Sequence, residues 1–279
     1  MARQMSKASR RFWRNPAAMI GVVLLTILVL IALLARFISP DPIVQNLEQR
    51  LAPPSSLHLL GTDQLGRSVW GRVAHGAALS LQVGVVVTLI AVSLGVLVGL
   101  LAGTFGGVWD NVLMRITDIF FAFPSLILAM AIAAALGPSL TNTIIAVALV
   151  SWPSYARLVR AQALALRERE FVEAARAIGT SRVGIALRHV LPNTLTPVLI
   201  QGSFDVGQAI LTAAGLSFIG FGAQPPTPEW GAMVSETRNF ISEAPWASSA
   251  PAIAILLAVL AFNLVGDGLR DALDPRNTK

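Results

Sequence analysis

No cysteine occurs among the 279 residues. That excludes disulfides, thiolate metal sites and cysteine nucleophiles, and it leaves the redox compartment open. Lysine is nearly absent as well. Only Lys7 and Lys279 are present, and neither follows a Gly-x-x-x-x-Gly-Lys-Ser/Thr stretch, so the chain has no Walker-type nucleotide site. The histidines His58, His75 and His189 are too scattered for a His-x-x-x-His zinc pair. Gly215-Leu216-Ser217 superficially resembles an intramembrane serine nucleophile, but Phe218 follows it and no histidine lies in an apolar segment. Charge is also sparse: 13% of residues are Asp, Glu, Lys or Arg, against about 25% in an ordinary soluble domain.

Apolar residues fill that space. They make up 54% of the chain, and the mean hydropathy is +0.68, which points to an all-α protein that crosses a bilayer several times. The net charge is +6 and the pI about 11.1. In a soluble protein such a balance suggests nucleic acid. Here the basic residues stand in a few blocks between apolar runs, the pattern of the positive-inside rule, so no nucleic-acid partner is expected.

Six segments are long enough to span, near 17–37, 79–103, 112–136, 140–160, 196–222 and 248–266. At about 1.5 Å per residue, about 20 residues cross a hydrocarbon core of ~30 Å. Arg10-Arg11 before the first segment raises the alternative of a signal peptide. Its apolar stretch is longer than a signal core, and no Ala-x-Ala site follows, so a retained anchor is expected. With the N-terminus inside, segments 1–16, 104–116, 157–190 and 267–279 carry sixteen of the 21 Lys and Arg. Both termini are therefore expected in the cytoplasm. The chain divides into 1–78 (tail, first span and a long outer loop), a core of 79–267, and a tail of 268–279. Pro40, Pro42, Pro53 and Pro54 break up outer loop 39–78, which either contacts partners or serves as a solvated spacer.

In the second span Ala91, Gly95, Gly99 and Gly103 recur every four residues, a small-residue stripe that lets another helix backbone approach. Pro124 and Pro153, in or near the third and fourth spans, each remove a backbone donor and predict kinks. In the fifth, Gln201, Asp205, Gln208 and Thr212 share one helical face. An ionisable group in a span usually faces a water-filled cavity or a partner, so this face is expected to line a translocation path or the subunit interface beside it. The alternative is a helix that starts below the membrane, with Asp205 near the headgroups. A secondary transporter would want more coupling charges near mid-membrane and an internal repeat. No repeat is visible, and Asp205 is the one acid well inside a span.

Between the fourth and fifth spans lies a charged segment, residues 161–192. Leu164, Phe171, Ala175 and Ile178 predict one apolar stripe on a helix over 161–178. Arg169 and Arg176 stand within helical reach of Glu173. Gly179 is placed to end that helix in a left-handed conformation, and Thr180 or Ser181 to cap the next. Val183, Leu187 and Val190 form a second stripe that Pro192 is expected to stop. Thr196-Pro197 reads as the start of the fifth span. The mixed charges favour a protein contact over lipid headgroups.

Glu173, Ala174, Ala175, Gly179, Leu191 and Pro192 match the EAA loop of ABC importer permeases, with His189 where an aliphatic residue is usual. The segment His58–Arg67 resembles the outer segment of the dipeptide/oligopeptide/nickel permease family, with Ser68 where Asp is common. Gly220-Phe221-Gly222, Glu229-Trp230-Gly231 and the stretch Phe262–Asp271 resemble that family too. The resemblance implies the type I importer transmembrane fold in a bacterial inner membrane, with six helices. It also implies a second, homologous permease subunit as heterodimer partner, two ATP-binding subunits that use ATP and Mg, and an extracytoplasmic substrate-binding protein. This chain would bind no cofactor or metal and catalyse nothing. Its EAA loop would rest on the ATP-binding subunit, and the cargo would be short peptides, with nickel or another small solute as the alternative.

Overall fold

The computed structural model describes residues 9–273, and they are helical throughout apart from connecting segments. Helix α1 (Pro16–Ile38) starts at Asn15, whose side chain accepts from the amides of Ala17 and Ala18, with Pro16 at the first helical position. There follow α2 (Val69–Phe105), α3 (Gly107–Phe121), α4 (Ser125–Leu136) and α5 (Leu140–Arg167). Two short helices, α6 (Glu170–Ala177) and α7 (Arg182–Ile185), lead through a π-helical turn, Ala186–Val190, into α8 (Leu191–Ile219). Helices α9 (Trp230–Thr237) and α10 (Pro245–Leu273) complete the bundle.

Among the described residues five helices are long and apolar enough to cross a membrane, and α3 with α4 make a sixth span only if counted as a bent pair. The third span, expected as one helix over 112–136, is thus two helices meeting at 91°. The cause is Pro124: the residue before a proline is pushed out of the helical region, and Pro124 itself has φ −56° and ψ 126°. Pro153 acts differently. Helix α5 runs through it, with the hydroxyls of Ser151 and Ser154 donating to the carbonyls of Val147 and Ser151.

The expected boundaries after residues 78 and 267 fall inside α2 and α10. Helix α5 extends to Arg167, so residues 161–167 belong to it and not to a separate loop helix. Nor do Pro192 and Pro197 stop or start anything: a continuous helical path of 38 residues runs from Arg182 to Ile219. The wider π turn before Leu191 relieves the clash that Pro192 would make in a regular α-helix.

Two seams hold the bundle together. In the first, the small-residue face of α2 lies on α5. A Cβ built on Gly95 would stand 2.6 Å from the Trp152 carbonyl oxygen, one on Gly99 2.6 Å from that of Ala156, and one on Gly103 2.5 Å from the Ala163 Cβ. In the second, α10 packs between α1 and α8, with Gly21 against Leu264, Gly266 against Ser203 and Phe204, and Gly268 against Ala18. Lipid supplies no hydrophobic push between helices, so such close van der Waals contact is what joins them.

This generates a test. Gly99→Val should lower stability by about 2 kcal/mol or more through overpacking against backbone, read as a fall in the thermal midpoint of the protein in detergent. Gly215→Ala is the control, because nothing lies within 4 Å of a Cβ there and the midpoint should hold or rise.

Candidate functional site

The segment between α5 and α8 is a helix–turn–helix with two unlike faces. Val172, Ala175, Ile185, Ala186 and Val190 are buried. Val172, Ile185 and Val190 join the core built by α2 and α5. Phe171, Ile178, Val183 and Leu187 point outward, and Ile178 is 84% exposed. The stripes expected on Leu164–Ile178 and Val183–Val190 are therefore corrected. The break at Glu168 and Arg169 resets the helical phase, so Ala175 and Val190 face in while Phe171, Ile178, Val183 and Leu187 face out.

The turn is a Schellman closure. Gly179 has φ +87° and its amide donates to the Arg176 carbonyl, while the Thr180 amide donates to that of Ala175. Ser181, not Thr180, caps the next helix by accepting from the Gly184 amide at 3.1 Å. Glu173 and Ala174 are exposed, and Ala175 is buried. Among the described residues Glu173 makes no ion pair, so neither Arg169 nor Arg176 neutralises it. Leu191 packs against the α2–α5 core, and Pro192 follows it at the head of α8.

Midway along the bundle α2, α5 and α8, with Phe121 and Ser125 beside them, line an open-sided cavity of about 230 Å³ whose walls are part polar and part apolar. Asp205, Gln208 and Thr212 line it together with Thr88, Ser151, Ser154 and Tyr155. Gln201, expected on the same face, does not reach the cavity, but its side-chain amide donates to Asp205 Oδ1 at 2.9 Å. The hydroxyl contributors from α2 and α5 escape sequence reasoning, since isolated Ser, Thr and Tyr residues in different helices form no pattern until the helices are packed.

The other end of α2 holds a buried charge cluster. Arg67 Nε lies 2.6 Å from Asp63 Oδ2, its Nη2 bonds Glu236 Oε2, and Arg72 Nη2 lies 3.2 Å from the same Glu236 oxygen. Asp63, Arg67 and Arg72 are all at most 2% exposed. Asp63 also accepts from the amides of Leu65 and Arg67, which fixes the turn. The signal in the sequence was the pair Arg67 and Arg72 on the side where basic residues are scarce. The end of the outer segment is tied to the bundle, since Trp246 Nε1 donates to the Thr62 carbonyl and Gly61 packs against the Trp246 ring, whereas most of residues 41–59 are exposed. Ser68 caps α2 by accepting from the Gly71 amide, a task an aspartate performs equally well.

The remaining motifs are structural in the same region. Glu229 caps α9 by accepting from the amides of Gly231 and Ala232. Trp230 is fully buried, and Gly231 abuts the Ala214 backbone. Gly220 ends α8 at φ +104°, leaving the Phe221 carbonyl to accept from the Ser139 amide and the Thr143 hydroxyl.

A bundle of membrane-length helices with an exposed loop at one end and a cavity at its middle defines a multi-span membrane protein. Residues 95–279 match the family of binding-protein-dependent transport system inner membrane components, and residues 3–54 match the N-terminal transmembrane domain of oligopeptide transport permease C. A dipeptide transport system permease protein of Alkalihalophilus pseudofirmus is 46% identical over 97% of this chain and 89% of its own length. A glutathione transport system permease protein of Shigella flexneri is 49% identical over 96% and 89%. Among solved structures, the MetNI methionine ABC transporter in an inward-facing form shares the fold, with a TM-score of 0.56 and 18% identity over 72% of this chain and 96% of that one. The chain belongs to the family of binding-protein-dependent transport system inner membrane components, as an ABC importer permease that crosses the inner membrane several times.

The buried charges give this subsection its test. Glu236→Ala leaves two buried guanidinium groups facing one carboxylate, and loss of one partner from such a set costs about 3–5 kcal/mol. Thermal unfolding in detergent should register that loss, whereas Asp118→Ala, which removes the exposed partner of Arg157, should shift it little.

Proposed function

We propose that this permease imports short peptides as half of a translocation path, the other half coming from a second, homologous subunit. Two ATP-binding subunits, supplied with ATP and Mg, dock under the loop at residues 170–190, and an extracytoplasmic binding protein delivers cargo to the opposite face. Both termini lie in the cytoplasm, and this chain has no catalytic role. The names of the dipeptide and glutathione relatives support the cargo class.

The observation that carries the reading is the loop. Its inner face is locked into the bundle core, while its outer face offers four apolar side chains and an unpaired carboxylate, Glu173. A short rigid body of that kind moves with whatever socket holds it and passes the motion to the helices behind. Glu173, Ala174, Ala175 and Gly179 form the lever, and Leu191 and Pro192 join it to α8. The polar face of Gln208, Thr212 and Asp205 lines the path, with Gln201 orienting Asp205.

Two variants test the coupling. Glu173→Lys should insert and assemble normally yet abolish transport and the stimulation of ATP hydrolysis by loaded binding protein. A Cβ at Gly179 meets no neighbour within 4 Å, so the main penalty of Gly179→Val is the positive φ, a strain of about 1–3 kcal/mol that unwinds the turn. Its transport should fall about tenfold or more by the usual conversion of free energy to rate. Uptake into vesicles at matched expression is the measurement, and parental rates in both variants would rule the loop out as the coupling element.

A further inference from the structure

The cavity at the middle of the bundle is chemically one-sided. Its lining contains one carboxylate, Asp205, and no Arg, Lys or His. The nearest such cation on α5, Arg157, is already held by Asp118 at 2.7 Å and stacked on Phe121 at 3.8 Å. Asp205 Oδ1 accepts from Gln201, a neutral donor that leaves the negative charge uncompensated. Two further hydroxyls belong to the same lining: that of Thr88 is buried without a hydrogen-bond partner among the described residues, and that of Tyr155 lies beside Asp205. A buried hydroxyl without a partner is costly, and three helices agree here in presenting oxygen atoms. Ser151, Ser154 and Thr212 add more acceptors to the same wall.

An ammonium group supplies what this arrangement lacks: three N–H donors and one positive charge, no larger than the space requires. We propose that the cavity is a subsite for the amino-terminal ammonium of a peptide in transit, with Asp205 as counter-ion and the Ser151 and Ser154 hydroxyls of the same wall as acceptors. This rests on the peptide-import reading and deepens it. A single carboxylate holds such a group briefly and releases it, as passage demands, while Val87, Ala91, Phe121, Val147 and Val150 in the same lining meet the apolar parts of the cargo.

The absence of native cysteine in this chain allows a direct test on the assembled transporter in detergent. Gln208→Cys places a thiol on the cavity wall. Its reaction with a cationic methanethiosulfonate (the trimethylammonium-ethyl reagent) is compared with that of the anionic sulfonatoethyl reagent, each normalised to its rate with a free thiol. The parental complex supplies the background from partner subunits. The cation should be favoured about tenfold by the Asp205 charge at a few ångströms in a partly hydrated cavity. Adding Asp205→Asn should bring the ratio to about one, and Asp205→Glu should retain the preference.

A dipeptide amide with a free amino terminus should slow the labelling, whereas its N-acetylated counterpart and sodium chloride at equal ionic strength should not. Equal or anion-favouring rates with Asp205 in place would overturn the proposal, since a cation from the second subunit then pairs the carboxylate. Equal protection by the acetylated peptide, or by sodium chloride, would overturn it too, the first because ammonium is not the group recognised, the second because an inorganic cation is the occupant. ATP-driven dipeptide uptake by the parental complex is measured in parallel. Its absence defeats the import reading, whereas intact uptake without cation preference defeats the subsite alone.

Discussion

Everything in this bundle depends on how closely α2 can lie on α5. Three glycines a turn apart remove the side chains that would otherwise keep the helices separate, and carbonyl oxygens and Cβ atoms of Trp152, Ala156 and Ala163 occupy the space they vacate. The contact is long, so it fixes the axial register of the two helices as well as their distance. Register then decides which residues meet. Thr88 and Tyr155 arrive at one level and form the cavity wall, while at the end of the seam the Arg167 guanidinium reaches the Gly103 carbonyl and the loop helices are drawn under the core. A stripe of small residues thus sets the geometry of two regions that lie on either side of it.

The two ends of α2 are stabilised by opposite means. At the Val69 end, charges are buried and satisfied against one another, and a proline-broken segment is tied down through Thr62, Trp246 and Glu236. At the Phe105 end, the loop keeps its apolar and acidic outer face unpaired. Burying four charges is seldom the cheapest route to stability. What it gives here is a fixed position for segment 61–68 relative to α9. The loop end does the reverse and leaves its apolar side chains exposed.

Much of this was legible in the sequence, and the failures share a cause. The small-residue stripe, the glycine turn at 179 and the polar face of α8 are all periodic or local, and each reads from a few neighbouring residues. The right-angle bend at Pro124 was readable only as a kink, because the size of a bend depends on what packs around it. The continuity of α8 through Pro192 and Pro197 was hidden, because a π turn leaves no composition mark and prolines usually punctuate. The loop stripes were misphased because Arg167 closes a helix that the pattern carried onward. The cavity and the charge cluster join residues from three or more segments, so only one member, Asp205 in a span, stood out.

The unbroken path from Arg182 to Ile219 has a mechanical meaning. Thirty-eight residues in one helical piece measure about 57 Å at 1.5 Å per residue. The same rod carries the loop's outward-facing Val183 and Leu187 at one end and Asp205, Gln208 and Thr212 further along. Its compliant stretch is short: the π turn and the two prolines, where backbone donors are missing, fall within residues 186–197. A displacement of the loop would therefore bear on the cavity through that one joint, together with the α2–α5 core on which Ile185 and Val190 pack.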